Sequence, residues 1–189
     1  DINLENYNID ISILEKKLKK AKKQKRLPKI IIPIAFAGYS SDMKKIYQLS
    51  KKYKFKIIED ASHALGGKYK NNMVGSNKYS DLTVFSFHPV KMITTGEGGA
   101  ITTNNNNLAK KLYALRSHGI EKNLTKKQKK NTPWLFNQNF LGFNYRMTDI
   151  QASIGSTQMD RASAILSERR ILAEKYNESL AKLDFFQIP

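Results

Sequence analysis

Two spacings of apolar residues, and a few unbroken apolar runs, divide the chain into candidate elements. Ile9, Ile13, Leu14, Leu18 and Ala21 recur at helical spacing, which predicts a helix over Ile9–Lys25, capped by Asp10 or Ser12, with Pro28 just beyond it. Ile30–Phe36 is a continuous apolar run, the pattern of a strand covered on both faces, and Gly38-Tyr39-Ser40 reads as a turn. Ser41 then caps a helix to about Tyr53, and Phe55–Glu59 reads as a second strand. Strand, helix and strand within roughly thirty residues form a right-handed crossover unit. Asp81–Phe87 reads as a third strand, Ala100–Thr103 as part of a fourth, and Leu108–Arg116 as a helix. Ile120–Asn139 is polar, rich in lysine and without a period, so a loop is expected there. Thr148 or Asp149 opens a helical stretch to about Leu183, with a break near Met159, and Phe185–Pro189 resembles the start of a further strand. The pattern is that of an α/β layered domain cut at both ends.

Composition narrows the class. At 189 residues the chain is long enough for one well-cored domain and short for two. An apolar content of 40% with nine Phe and nine Tyr is that of a soluble globular protein, and no run approaches the roughly 18 apolar residues of a membrane span. The opening Asp1–Asn6 has neither the basic nor the apolar region of a signal peptide, and it lacks Met, so residues are expected to precede it. The absence of cysteine excludes disulfides and thiolate metal sites and fits a cytoplasmic protein. His63, His88 and His118 are too few and too scattered for a zinc site.

The net charge of +17 raises the question of nucleic acid. Only six of the 33 basic residues are arginine, whose forks read base edges, so nucleic-acid binding is disfavoured. The charge gathers in two runs, Lys16–Lys29 and Lys122–Lys130, both of which read as solvated surface. The same field suits an anionic substrate through steering.

Candidate chemistry falls at strand ends, where open α/β sheets bind ligands. Asp60 closes the strand Phe55–Glu59, Ser86 stands near the end of Asp81–Phe87, and Lys91 follows five residues later. Gly96-Glu97-Gly98-Gly99 comes next, a backbone able to pass close to a bulky ligand. Taken singly, Asp60 reads as a helix cap, Lys91 as solvated surface, Ser86 as a strand hydroxyl and the glycines as a turn. Their order and spacing carry the argument.

Glu59-Asp60-Ala61-Ser62-His63-Ala64-Leu65-Gly66, Phe85-Ser86-Phe87-His88-Pro89-Val90-Lys91, Thr94-Thr95-Gly96-Glu97-Gly98-Gly99-Ala100, Arg116-Ser117-His118-Gly119 and Gly142–Ala152 occur in the order found in one family. Over about Ile30–Leu183 the chain resembles the DegT/DnrJ/EryC1/StrS aminotransferases, pyridoxal 5′-phosphate (PLP) enzymes that aminate nucleotide-linked keto-sugars. Its wording is most like the branch acting in pseudaminic-acid-type glycan synthesis. The resemblance implies the large domain of a type I PLP-dependent, aspartate aminotransferase-like fold. Its sheet would be mixed, mostly parallel and flanked by helices, and the domain truncated at both ends. Residues 1–147 would be part of the cofactor domain, and 148–189 a helical connection into a largely missing small domain.

The resemblance also implies roles. Lys91 would hold the cofactor covalently and, once freed by the amino donor, shuttle the proton. Its amine must lose its own proton to act, since a lysine is charged at neutral pH. Asp60 would pair with the pyridinium nitrogen, His63 would contact the ring or its 3′-oxygen, and Ser86 would donate to the cofactor phosphate. Asn144 matches an asparagine that reaches the phosphate bound by a neighbouring subunit, which implies a homodimer with shared active sites. His88 is placed on the substrate side, and His118 reads as a satisfied loop histidine rather than a catalytic one. Gly119 and Gly142 read as backbone requirements. Ala35 and Phe36 stand where many relatives carry a histidine. The substrate would be a nucleotide-sugar, the amino donor glutamate, and no membrane or nucleic-acid partner is implied. The alternative reading is a basic binding module that keeps the fold without catalysis.

Overall fold

The computed structural model describes residues 1–121, 132 and 134–185. The run Lys122–Lys130 and residues 186–189 of the expected final strand lie outside the described residues. The chain divides into two units, Asp1–Thr103 with Asp149–Pro189, and Asn104–Thr148.

In the first unit, helix α1 (Ile11–Lys23) starts at Asp10, whose carboxylate accepts from the Ile13 N–H and the Ser12 hydroxyl. Of the two candidate caps Asp10 therefore serves, and those bonds hold its carboxyl below the usual range. Leu14 and Leu18, one turn apart, form the buried seam of α1. Strand β1 is only Ile30–Ile31, because Pro33 has no N–H to continue a ladder. The expectation of a run covered on both faces is overturned. Pro33 and Ala35 are buried, but the alternate residues Ile30, Ile32 and Ile34 remain 48%, 56% and 51% exposed. A 3-10 turn, Phe36–Gly38, leads to α2 (Met43–Tyr53). Its cap is Asp42 and not Ser41, whose buried hydroxyl instead donates to the Ile34 carbonyl.

Strand β2 (Lys56–Asp60) is followed by a short hairpin, β3 (Lys68–Tyr69) and β4 (Asn72–Met73), that the apolar pattern did not indicate. Strands β5 (Leu82–Ser86) and β6 (Gly99–Thr102) complete a sheet of order β1-β2-β5-β6. The first three are mutually parallel and β6 runs antiparallel to β5, so the sheet is mixed and mostly parallel. Met43, Ile46, Leu49 and Tyr53 of α2 join Leu14 and Leu18 over Phe55 and Ile57, which forms the main core on one face of the sheet. Glu59, Thr83 and Phe85 continue that buried face, while Ile58, Asp60, Leu82, Val84 and Ser86 alternate onto the other.

In the second unit, α3 (Asn106–Arg116) is capped by the Asn105 side chain, which accepts from the Asn107 and Leu108 N–H groups. Strands β7 (Ile120–Glu121) and β8 (Asn137–Gln138) pair antiparallel. The two ends of the segment expected as a plain loop are thus laddered together. Returning to the first unit, α4 (Asp149–Asp160) and α5 (Ala162–Leu180) are separated at Arg161, close to the expected break. Neither helix buries a residue, although a Cβ at Gly66 would collide with Leu166 of α5. Among the described residues no helix is long and apolar enough to cross a membrane.

Candidate active site

Parallel strands end together, so Asp60 of β2 and Ser86 of β5 reach the same carboxyl edge of the sheet, and β6 begins there at Gly99 opposite Ser86. Asp60 is level with Val84. Ser86 lies two residues further along the neighbouring strand and on the same face. With strands about 4.8 Å apart and a rise of about 3.3 Å per residue, the two Cα atoms lie roughly 8 Å apart. Both side chains belong to the less covered face.

Two main-chain bonds tie Asp60 to the segment that follows β1. Its N–H donates to the Pro33 carbonyl and its carbonyl accepts from the Ala35 N–H, each at 2.9 Å. The carboxylate is fixed by Ser62, whose N–H and hydroxyl both donate to Oδ1 at 3.0 and 2.6 Å. Among the described residues Oδ2 accepts no hydrogen bond. His63 is exposed on the turn that closes when the Ala64 N–H donates to the Ala61 carbonyl. Gly38, at φ +89°, approaches the His63 carbonyl so closely that a Cβ would stand 2.9 Å from it. The turn Phe36–Gly38 is held in turn by buried Asn8, which accepts from the Phe36 N–H and donates to the Tyr39 carbonyl at 3.0 and 2.8 Å.

Beyond Ser86 the chain leaves the sheet and returns to the same point. The Phe87 carbonyl accepts from the Thr95 N–H and the Thr94 hydroxyl, each at 3.0 Å, and the Phe87 N–H donates to the Gly98 carbonyl at 2.9 Å. Ile93 and Thr95 are buried and anchor the returning arm. Within this closed loop a tight turn, with the Lys91 N–H donating to the His88 carbonyl at 3.0 Å, presents a half-buried Lys91. His88 is exposed, with Nδ1 accepting from the Val90 N–H at 3.4 Å and Nε2 standing 3.9 Å from a Glu97 carboxylate oxygen. Among the described residues the Ser86 hydroxyl oxygen accepts only a long bond, 3.4 Å, from the His88 N–H, and its proton has no acceptor. Gly99 must be glycine, since a Cβ would stand 2.7 Å from the Phe85 carbonyl.

Behind the site, on the buried face, Glu59 is 6% exposed and accepts from the Thr83 hydroxyl at 3.0 Å. Burial raises its carboxyl above the usual range against that bond. The same hydroxyl meets the Asn77 amide and Ser80.

Asp60, His63, Ser86, His88 and Lys91 therefore lie at one edge of the first unit. Asn144 belongs to the second, where it is exposed and bridges Ser117 in an antiparallel ribbon. The flanking bonds of that ribbon are His118 N–H to the Phe143 carbonyl and Tyr145 N–H to the Arg116 carbonyl. Gly119 and Gly142 press backbone to backbone, as their reading as backbone requirements anticipates. Three supporting groups escaped the sequence reading: Asn8, Ser62 and the Thr94–Thr95 pair. Ser62 follows Asp60 by two, a spacing that signals a side-chain turn. Asn8 gave no signal, since its partners lie 28 and 31 residues away.

The residues fit PLP by their chemistry. A carboxylate oxygen is open to a ring N–H, a hydroxyl is free to donate to a phosphate, and a lysine is held on a fixed loop nearby. Comparison with known proteins agrees. The family model for the DegT/DnrJ/EryC1/StrS aminotransferases matches residues 1–189. A UDP-4-amino-4,6-dideoxy-N-acetyl-beta-L-altrosamine transaminase of Campylobacter jejuni is 40% identical over 179 residues, which are 95% of this chain and 44% of that protein. The structure of Helicobacter pylori PseC, an aminotransferase of pseudaminic acid biosynthesis, superposes with a TM-score of 0.85 at 32% identity, covering 98% of this chain and 46% of that one. The PLP form of a sugar aminotransferase from Streptococcus pneumoniae gives 0.78 at 29% identity, covering 96% and 47%. The chain thus spans under half the length of these relatives.

Proposed function

The chain belongs to the DegT/DnrJ/EryC1/StrS aminotransferase family, and on that premise we propose that it is the cofactor-holding part of an enzyme that transfers an amino group to a nucleotide-linked keto-sugar. The observation that carries this reading is the convergence of Asp60, Ser86 and Lys91 at one carboxyl edge of a parallel sheet. PLP, when bound, supplies an aldehyde for amine exchange and a ring that accepts electron density from the substrate carbon.

The side chains divide the work. Asp60, pinned through Oδ1 by Ser62, presents Oδ2 to the ring N–H and keeps that nitrogen protonated. The Ser86 hydroxyl donates to the phosphate. Lys91 holds the cofactor through Nζ, and the same atom, once released, carries a proton to and from the substrate carbon. His63 lines the ring side and His88 the substrate side. Asn144 reaches the phosphate of a second subunit, so the active unit is a homodimer. The helices of residues 148–189 lead towards a small domain of the longer protein. The amino donor is glutamate, the setting cytoplasmic, and the product feeds surface-glycan synthesis, in keeping with the pathway named for PseC.

Visible absorbance after addition of PLP tests this, in residues 1–189 and in a chain of the relatives' full length. A band that survives dialysis of the longer chain, is lost in Lys91→Ala and bleaches with glutamate supports the proposal. A longer chain that stays colourless overturns it.

A further inference from the structure

At the opposite, amino-terminal edge of the sheet, a cavity of about 460 Å³ opens between the last turn of α2, the start of β2 and the residues leading into β5. That volume lies within the range of small-molecule sites. Four lysines line it, Lys51, Lys54, Lys56 and Lys78, with Asp81 as the one acid. Asp81 is fully engaged: Oδ1 takes the Lys56 ammonium at 2.8 Å and Oδ2 accepts from the Ile57 N–H at 2.9 Å. Lys51, Lys54 and Lys78 have no carboxylate partner among the described residues. Lys51 instead lies over the Tyr47 ring, 4.7 Å from its centroid, and Lys78 stands 5.8 Å from that of Tyr79.

Lys54 lines the cleft from the carboxyl end of α2. It ends α2 in the left-handed conformation, φ +60° and ψ +43°, a place where glycine is the residue free of strain. Asn77, which also lines the cavity, is left-handed at φ +53°.

We infer that this cleft is a binding site for a compact anion bearing two or more phosphates. Three exposed ammonium groups without a carboxylate partner among the described residues line one cavity, and a multivalent anion can meet each as a point-charge donor. A diphosphate group matches this count better than a single carboxylate. The site is separate from the one at Asp60 and Ser86, because parallel strands put Lys56 and Asp60 at opposite ends of β2. It does not depend on the transaminase reading.

Isothermal titration with inorganic pyrophosphate at physiological salt provides the test. Saturable single-site binding is expected, weakened about tenfold or more in Lys51→Ala/Lys54→Ala/Lys78→Ala. Removal of the same charge from α1, in Lys16→Ala/Lys20→Ala/Lys23→Ala, is expected to change affinity less than about threefold, because those lysines act only through the screened general field. Lys54→Gly separates binding from folding, since it should raise the melting temperature by relieving the left-handed strain while weakening pyrophosphate binding. The absence of saturable heat, or equal losses in the two triple variants, overturns the inference. A single-stranded oligonucleotide distinguishes the phosphate source. If it alone binds, with both triple variants equally weakened, a diffuse basic surface replaces the cleft.

Discussion

The two faces of the four-stranded sheet differ although they alternate residue by residue along the same strands. On one face, Ile57, Glu59, Thr83 and Phe85 are buried, with Phe55 and Ile57 covered by α1 and α2. On the other, Ile58, Asp60, Val84 and Ser86 are half-covered, and the outer positions Ile30, Ile32, Ile34 and Ile101 stand about half exposed. Stability is concentrated on the first face and the candidate chemistry on the second. A strand such as β2 can thus carry a core residue and a ligand residue in neighbouring positions without either constraining the other's side chain.

Substitutions on the two faces should separate accordingly, and the largest effect lies on the open side. Lys91→Ala is expected to abolish the retained cofactor absorbance of the longer chain while changing unfolding free energy by less than about 0.5 kcal/mol. A variant that unfolds would make Lys91 structural. Ile46→Ala on the covered face should cost about 2–5 kcal/mol in urea denaturation, because Ile46 is wholly buried between helix and sheet. A cost below 1 kcal/mol would mean that this packing is not the core of the fold.

The cap of α2 comes next. Asp42→Ala should cost about 1 kcal/mol through the lost N-cap. Burial raises the Asp42 carboxyl, but bonds from the Tyr69 hydroxyl and from Lys45 outweigh it and leave the value below 3.8. The contribution is therefore present above pH 3.8 and fades as pH falls through the lower folded value. The partner phenol is pushed up to about 12, chiefly by burial and then by its bond to Asp42, so its share is present below pH 10 and lost as pH rises towards 12. A melting temperature of Asp42→Ala equal to that of the parent at pH 7 would remove the cap from the account.

Glu59 runs the other way. Its folded carboxyl titrates above 4.5, so the native state favours the protonated form and stability declines as pH rises from 4.5 through the folded value. Glu59→Gln should flatten that decline, and the difference in melting temperature should shift towards the variant as pH rises from 4.5. A difference independent of pH would show that Glu59 does not titrate there. The smallest effect is expected for Ile32→Ser on the open face of residues 1–189, within about 0.5 kcal/mol, since that side chain is already 56% exposed.

Much of this arrangement was legible in the chain. Helix α1 announced itself through its apolar spacing, α2 through the turn and candidate cap before it, and β2 and β5 through short apolar runs near Asp60 and Ser86. The misreadings share a cause, the choice made among competing side chains or faces by tertiary contacts. Ser41 resembles a cap, yet the Ile34 carbonyl claims its hydroxyl and Asp42 takes the helix end. Ile30–Phe36 resembles a doubly buried strand, yet Pro33 interrupts the ladder before the Ile34–Asp60 bridge and alternate isoleucines stay half exposed. Hairpin β3–β4 has two-residue strands, too short for any period to show. At the site, the candidates Asp60 and Ser86 could be placed at strand ends from the sequence, whereas the buried amide of Asn8 works across 28 and 31 residues of chain.

The loop that carries Lys91 closes on a single residue, Phe87, through its carbonyl and its N–H. A segment tied off at its own base can change its tip without sending the change into the strands that bear it. In mechanical terms, the position of Lys91 is insulated from the sheet. A substitution at Lys91 is confined to the loop, while Asp60, bonded through its N–H to Pro33 and through its carbonyl to Ala35, cannot shift without moving the neighbouring chain.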